Sequence, residues 1–386
     1  MGSTAFRRVG AGVLSWLLGI GVFAAVAHPE SCPPPSPVAA RAAVVDAVSW
    51  IGENQSADGR FLYRYDRRTS SVVPGYVIVR HAGTLLALEQ ARSHGVAGAA
   101  EAADRGTAWA LAQLTELEGG RAALTDDVGG TALLVAALVE HRRAADDRTH
   151  DEVLGALGRF LASAVTDDGA VVATWDLAAD APIAGSRSPF FTGEVLLALA
   201  MLHTDFPDGG WDHAAARVGR YVATRRDDVE RAYPPVSDHW SSYAFAEMAT
   251  WPGEPGASLT VAERAYARRQ AGLFGVQARF ESQRRDAGLA RLTRGPVALP
   301  AGIGTVGEGL GGVRRLLRAG VDLGVDAGTV DTRLGCVAGL LVERQAHSDH
   351  TRVDGAWFRL GFTQVDDQQH ALSALLAALP SLEERP

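Results

Sequence analysis

The stretch Asn54-Gln55-Ser56-Ala57-Asp58-Gly59-Arg60-Phe61 lies between two apolar segments and defines the repeating unit of this chain. The segment before it has the pattern of a helix over 38–54. Asp58-Gly59 then turns the chain sharply, because glycine accepts a positive φ, and the aromatic residue packs beneath the turn. Farther on, Arg80-His81 leads into a second apolar helix. The pattern therefore predicts a helical hairpin with a polar loop.

Copies of this hairpin recur to the C-terminus. The first helix of each pair is amphipathic and carries charges. The second is apolar nearly all round, as in Gly83–Leu88 and Gly193–Leu199, which is typical of helices packed on several sides. First helices are predicted near 38–54, 102–117, 152–165, 212–225, 261–284 and 329–346. Second helices are predicted near 81–93, 129–143, 192–203, 239–250, 307–319 and 367–379.

The alternation of charged and apolar helices predicts the architecture. Charged outer helices that alternate with apolar inner helices, at a period of roughly 45–65 residues, indicate a closed helical array. Six such hairpins make an all-α (α/α)6 toroid, predicted as one domain over residues 38–386. Strands are expected only as short β-ribbons in the loops, such as Phe61–Tyr65 and Val171–Trp175.

The Asp-Gly turn is itself repeated. Asp354-Gly355-Ala356-Trp357 repeats the form Asp-Gly-x-aromatic, and Asp168-Gly169-Ala170-Val171 is a degenerate copy. This motif resembles the Gln-Trp repeat of terpenoid cyclases and other α/α-toroid proteins. The wider pattern is similar to six-hairpin carbohydrate-active families such as glucuronyl epimerases, N-acylglucosamine epimerases and unsaturated glucuronyl hydrolases. No complete catalytic motif of these families matches, so the resemblance implies the fold and assigns no catalytic residue.

The N-terminus has the features of an export signal. Arg7-Arg8 precede an uncharged, mostly apolar segment, Val9–Ala27, which ends in the small residues Ala25-Val26-Ala27. Residues 1–27 are predicted to be a signal peptide, with an uncleaved membrane anchor as the alternative. The protein is thus expected to be secreted or periplasmic, or membrane-anchored if the segment is retained. Residues 28–37 form a Pro-rich linker.

The composition restricts the partners and the chemistry. With 37 Lys+Arg against 45 Asp+Glu, the net charge is −8, and no basic stripe indicates nucleic-acid binding. The expected partner is a small molecule or a glycan. The two cysteines, Cys32 and Cys336, either pin the linker to the domain in an oxidising compartment or are unrelated thiols. Cys336, Asp331 and His370 lack the close spacing of a zinc set, so neither a metal nor a cofactor is predicted.

In a toroid the N-termini of the inner helices gather at one mouth, where positive helix ends favour a carboxylate or sulfate ligand. The residues there are carboxylates, histidines, tyrosines and an arginine, which suit acid/base chemistry. The predicted catalytic residues are Glu194, Asp367, His370, His81 and His239. The predicted substrate-binding residues are Tyr63, Tyr65, Arg80, Asp238, Tyr243 and Glu308.

Several of these residues have a purely structural alternative. Asp238 stands where a helix needs an N-cap. His81 fits a hydrogen-bonded core histidine, and Glu194, inside an apolar helix, fits a buried ion pair. Asp367 and His370 share a helix face, either as an acid/base pair or as a cap beside a buried polar group.

The leading functional hypothesis is an exported carbohydrate-active enzyme, a hydrolase, lyase or epimerase, acting on an acidic sugar at the toroid mouth. A second hypothesis is a non-catalytic toroid that binds a glycan or peptide. A third is a terpenoid-cyclase-like enzyme, which needs a deep aromatic cavity although aromatic residues make up only 7% of the chain. Val365-Asp366-Asp367 differs from the Asp-x-Asp-Asp acid of squalene-type cyclases.

Overall fold

The computed structural model describes residues 2–26, 30–34, 36–230, 237–252 and 259–384. The outer helices are α2 (Pro37–Glu53), α4 (Ala99–Leu111), α6 (Asp151–Ser163), α8 (Trp211–Thr224), α11 (Val261–Gln283) and α14 (Ala327–Arg344). The inner helices are α3 (Ile78–Ser93), α5 (Val128–Ala145), α7 (Phe191–Asp205), α10 (His239–Met248), α13 (Pro300–Arg318) and α15 (Val365–Glu383). The remaining helices are α1 (Gly2–Val26), α9 (Arg226–Val229) and α12 (Gly288–Arg294).

Within these described residues, the inner helices form a closed ring. Each packs on the next in the order α3, α5, α7, α10, α13 and α15, and α15 packs back on α3. Each outer helix precedes its inner partner in sequence, so the ring consists of six hairpins. The predicted (α/α)6 toroid and its all-α class are confirmed.

Two predicted helix boundaries differ most from the structure. The inner helix predicted near 307–319 begins at Pro300, because its glycines allow close helix packing instead of forming a loop. A Cβ on Gly304 would lie 2.5 Å from the carbonyl carbon of His370, and a Cβ on Gly307 would lie 2.6 Å from the Cβ of Ala374. The helix predicted over 102–117 ends at Leu111.

The strands are short ribbons, as predicted, with shifted bounds. They are β1 (Arg64–Asp66), β2 (Ser71–Val72), β3 (Thr115–Leu117), β4 (Arg121–Ala123), β5 (Trp175–Asp176), β6 (Ala181–Pro182) and β7 (Phe362–Gln364). All pairs are antiparallel. In the sheet of order β2-β1-β7, β1 belongs to the first hairpin and β7 leads directly into α15. This sheet therefore joins the first and last hairpins and helps to close the ring.

A disulfide adds a second link near the closure. Cys32 and Cys336 are bonded across a sequence separation of 304 residues, which ties the linker to α14. Of the two alternatives that the sequence left open, the structure has the disulfide. N-terminal to it, residues 10–23 of α1 are exposed. Among the described residues, no helix is both long and apolar enough to cross a membrane.

Each of the three Asp-Gly turns follows one outer helix and packs against the next outer helix. Gly59, Gly169 and Gly355 all have positive φ, at 95°, 87° and 77°. A Cβ on Gly59 would lie 2.2 Å from the carbonyl oxygen of Arg105 in α4. A Cβ on Gly169 would likewise meet the backbone of α8, and one on Gly355 that of α2. Each turn after an outer helix thus presses against the backbone of the next outer helix.

Glutamines strengthen two of these contacts. Gln55 Nε2 donates to the carbonyl oxygens of Gly59, at 2.8 Å, and Ala102 of α4, at 3.1 Å. Gln345 Nε2 donates in the same way to Gly355, at 2.8 Å, and to Ala43 of α2, at 2.8 Å. The Gln and the Asp-Gly turn therefore act together, although in the last hairpin they lie farther apart in sequence.

A glycine substitution separates backbone strain from steric contact at these turns. We expect Gly59→Ala to lower the free energy of unfolding by about 3 kcal/mol, because alanine there has both an unfavourable φ and an overlap with Arg105. Gly185 has a φ of 76°, and a Cβ added to it would have no other atom within 4 Å, so Gly185→Ala should cost only about 1 kcal/mol. Urea unfolding of both variants measures the difference, and equal losses would contradict the contact.

Candidate functional site

A cavity of about 470 Å³ opens at the N-terminal ends of the inner helices. We call it the mouth cavity. Every inner helix contributes to its wall, either directly or through the residues just before it. Its lining residues are Val77, Val79, Arg80, Asp127, Leu133, Phe190, Phe191, Glu194, His239, Trp240, Ala301, Gly302, Thr305, Asp366, Gln369 and His370. The volume lies within the range of about 300–1,000 Å³ that is usual for small-molecule sites.

Two histidines and a glutamate meet beside this cavity. His370 Nδ1 lies 2.6 Å from Glu308 Oε2, and His239 Nε2 lies 3.7 Å from the same oxygen. All three side chains are buried. Burial by itself would lower the pKa of His370. The attraction of the Glu308 carboxylate is stronger and raises this pKa to about 9. Burial, together with the charge of His370, holds the pKa of His239 well below its usual range.

Glu194 is a buried carboxyl group on the cavity wall. Its side chain points from the first turn of α7, and its Oε2 atom has no hydrogen-bond partner. Burial raises the pKa of Glu194 to about 8, so this group carries a proton at neutral pH. A Cβ on Gly129 would lie 2.2 Å from Glu194 Oε2, so the glycine of α5 makes room for the carboxyl group.

Charged groups line the outer part of the cavity. Arg80 Nη1 donates to the Tyr63 hydroxyl at 2.8 Å and to Gln364 Oε1 at 2.6 Å. Arg80 Nε lies 3.6 Å from Asp366 Oδ1, which in turn lies 3.8 Å from His370 Nε2. At the start of the neighbouring helix α5, burial first and the adjacent Asp126 second raise the pKa of Asp127.

Two residues predicted at the mouth are held in structural networks. His81 Nδ1 accepts from the Tyr76 hydroxyl at 2.6 Å, and His81 Nε2 donates to the carbonyl oxygen of Gly106 at 2.9 Å. Burial lowers the pKa of His81 to about 4. Asp238 caps α10 by accepting from the Ser241 amide at 3.0 Å and pairs with the buried guanidinium of Arg226. Neither side chain lines the cavity. His81 is a hydrogen-bonded core histidine and Asp238 is a helix cap, as the structural alternatives for these residues predicted.

Asp367 is not among the residues that line the mouth cavity. Its two carboxyl oxygens accept the backbone amides of Ala301, at 3.0 Å, and Gln364, at 3.1 Å, so it caps two inner helices at once. Burial raises the pKa of Asp367 to about 6. The carboxylate that lines the cavity is its neighbour Asp366.

The predicted tyrosines support the cavity without lining it. Tyr63 holds Arg80, as described above. Tyr65 is buried in β1 beneath His350, with a ring separation of 6.4 Å. Tyr243 is buried in α10, and burial holds its pKa well above the usual range. Among the predicted residues, the structure therefore brings Glu194, His239, His370, Glu308 and Arg80 together.

Sequence reasoning did not select several residues of the cavity wall. Asp366 lies three and four positions before Gln369 and His370, so their helical spacing was a usable signal. Trp240, Phe190 and Phe191 supply an aromatic side of the wall. They resemble ordinary core residues in sequence, and only the assembled ring shows that they face a cavity. Cys336, considered as a zinc ligand, is instead in the disulfide.

The arrangement combines a protonated carboxyl group, neutral and charged imidazoles, carboxylates and one arginine in a small cavity. Six helix N-termini add positive potential at the same place. Such a site can bind an anionic ligand and transfer protons to or from it.

Comparisons with known proteins identify the fold. No family model and no curated protein matches the sequence. An unsaturated glucuronyl hydrolase specific for heparin superimposes with a TM-score of 0.60 at 12% identity, covering 88% of this chain and 97% of that one. A D-mannose isomerase gives 0.58 at 13% identity, covering 89% and 97%. A variant of the type II terpene cyclase MstE from Scytonema gives 0.53 at 14% identity, covering 90% and 99%.

These similar structures share one architecture, and their likeness to this chain extends over most of its length. The chain therefore has the α/α-toroid fold.

Proposed function

We propose that this protein is a carbohydrate-active enzyme that binds a small acidic sugar in the mouth cavity and acts on it by proton transfer. The observation that carries the proposal is the state of Glu194. It is a buried carboxyl group with an unpartnered oxygen on the wall of a ligand-sized cavity, and it is protonated at neutral pH. Burying such a group is costly, which favours a functional role.

The carboxyl groups of the cavity occupy different environments, as acid/base pairs do in enzymes. Glu194 is 4% exposed and serves as the proton donor. The side chain of Asp366 is 24% exposed, beside Arg80, and serves as the acceptor. In an epimerase or a lyase, the proton moves to or from a sugar carbon. In a hydrolase, the proton moves to the glycosidic oxygen.

The positive groups favour an acidic sugar. The helix N-termini and Arg80 attract a carboxylate or sulfate, and the exposed ring of Phe190 offers an apolar surface for a sugar ring. Two of the similar structures are enzymes named for sugar substrates, a glucuronyl hydrolase and a mannose isomerase.

The cavity supports a terpenoid substrate less well. Half of its sixteen lining residues are polar or charged, including three carboxyl groups and two histidines. A cyclase must protect carbocations in an apolar, aromatic enclosure, and these basic groups would quench them. The polar lining therefore supports the sugar in preference to the terpenoid.

We also propose that the protein works outside the cytosol. The charged and apolar N-terminal segment and the disulfide both support export, because disulfides persist mainly in oxidising compartments.

The proposal is tested by incubating the full chain with a panel of neutral and acidic mono- and disaccharides in deuterated water. We expect an acidic sugar to be converted. Products whose summed mass exceeds that of the substrate by one water indicate hydrolysis, and two products, one of them unsaturated, whose masses sum to that of the substrate indicate a lyase. Incorporation of one carbon-bound deuterium without cleavage indicates epimerisation. Saturable binding without any product would support the glycan-binding alternative and contradict the enzyme.

A further inference from the structure

The side chains of His239, His370 and Glu308 come from three different inner helices, α10, α15 and α13. Their nearest ligand atoms all lie within 4.8 Å of one another. The exposed fractions of the three residues are 3%, 8% and 1%. A set of two imidazoles and one carboxylate, gathered on one side of a cavity, has the composition of catalytic zinc sites and of other divalent transition-metal sites.

One of these ligand atoms lacks a partner. His239 Nε2 is buried, points toward Glu308 and has nothing within hydrogen-bonding distance. A buried polar atom without a partner is costly and calls for an explanation. A metal ion bound between the three groups would satisfy it.

Two of the three ligand separations are close to those of a metal site. In a tetrahedral site with metal–ligand bonds of about 2.0–2.2 Å, ligand atoms lie about 3.3–3.6 Å apart. The separations of 2.6 Å from Glu308 to His370 and 3.7 Å from Glu308 to His239 lie on either side of this range, and all three ligand atoms lie within 4.8 Å of one another. A bound ion would displace the proton between Glu308 and His370 and draw His239 closer.

The surroundings of His370 also match those of a metal ligand. Histidine ligands usually present their second ring nitrogen to a carboxylate. His370 Nε2 lies 3.8 Å from Asp366 Oδ1, on the side opposite to Glu308. Both histidines line the mouth cavity, so a metal held here would be accessible to a bound molecule.

We propose that His239 Nε2, His370 Nδ1 and Glu308 Oε2 bind one divalent transition-metal ion at the side of the mouth cavity. Two nitrogens and one oxygen favour zinc or a similar ion over magnesium or calcium. At this position the ion would polarise a hydroxyl or carbonyl oxygen of the ligand. That use of the metal rests on the proposed function, whereas metal binding itself does not.

A second cluster shows why composition alone is insufficient. Glu89, Asp104 and His141 also lie close together. There, however, the Arg92 guanidinium pairs with both carboxylates, at 2.9 Å from Glu89 Oε2. The Arg92 guanidinium already supplies the positive charge, so we do not propose a metal site at this second cluster.

The test uses the untagged full chain, stripped with a chelator and titrated with ZnCl₂ by calorimetry and with CoCl₂ by visible absorption. We expect about one equivalent of each metal and the absorption of four-coordinate cobalt. Loss of a carboxylate that supports a metal ligand typically weakens metal binding by roughly 10–100-fold, and we expect Asp366→Asn to weaken it by that factor. His239→Ala and Glu308→Gln remove ligands themselves, so each should weaken metal binding by more than this. His213→Ala, at a histidine whose side chain is 84% exposed, should bind like the wild type.

Circular dichroism melting verifies that each variant is folded. The proposal is overturned if the wild type binds less than a tenth of an equivalent, or if folded His239→Ala and Glu308→Gln bind as tightly as His213→Ala. The result is independent of the sugar assay. Metal binding without sugar turnover would support the metal site and reject the proposed function. Sugar turnover by a chain that binds no metal would support the proposed function and reject the metal site.

Discussion

Replacement of Asp238 by alanine should lower the free energy of unfolding by about 3 kcal/mol, because it removes the buried partner of the Arg226 guanidinium and leaves only the half-buried Asp227, 3.5 Å away. Arg226 is 1% exposed, and its guanidinium bonds both Asp238 and the Tyr266 hydroxyl. Asp238 also accepts the Ser241 amide at the start of α10. Urea unfolding followed by circular dichroism measures the loss.

Asp326→Ala is the matched control for the Asp238 variant. Asp326 caps α14 by accepting the Thr329 amide at 2.7 Å, without a buried arginine beside it. Loss of a cap alone costs about 0.5–2 kcal/mol. Equal losses for Asp238→Ala and Asp326→Ala would show that the Arg226 pair contributes nothing beyond the cap.

The second large effect is the pH dependence that Glu194 imposes on stability. Its pKa is about 8 in the folded protein, whereas an unperturbed glutamate has a pKa of 4.5. Between these values the folded state keeps a proton that the unfolded state loses, so stability falls as the pH rises. The slope is about 1.4 kcal/mol per pH unit. Below pH 4.5 both states are protonated, so the stability is fully present and no longer changes with the titration of Glu194.

Glu194→Gln removes this titration while keeping the size of the side chain. The difference in free energy of unfolding, variant minus wild type, should therefore increase by about 1.4 kcal/mol for each unit between about pH 5 and pH 8. Urea unfolding at half-unit steps of pH measures it. A difference that stays constant over this range would contradict a protonated Glu194 in the folded protein.

The toroid was predictable because its signals are local and repeated. Each Asp-Gly turn requires a glycine with positive φ, and each inner helix requires apolar residues on several sides, so both are visible in sequence. The start of α13 was missed because glycines such as Gly304 and Gly307 usually indicate loops. Here they permit backbone contact with α15, which is a property of the assembled ring.

The candidate site was only partly predictable, because a polar residue near a helix start has several roles with the same local pattern. Asp238 and Asp367 cap helices, whereas Asp366, adjacent to one of them, faces the cavity. His81 lies in the first turn of α3, as His239 lies in the first turn of α10, yet both ring nitrogens of His81 are hydrogen-bonded. The partners that decide these roles come from other hairpins.

The cluster of His239, Glu308 and His370 has no signal in sequence spacing. Metal-ligand patterns are recognised when ligands lie a few residues apart, but these three residues come from separate hairpins. They become neighbours only when the ring closes.

The most direct test of the account compares the wild type with Glu194→Gln on the acidic sugar identified by the panel, measuring both turnover and ligand binding. Removing a general acid typically reduces turnover by about 100- to 10,000-fold. We predict a loss of that size with ligand affinity changed only a few-fold, because the amide keeps the shape of the cavity. Turnover by a folded Glu194→Gln protein at the wild-type rate would contradict the account.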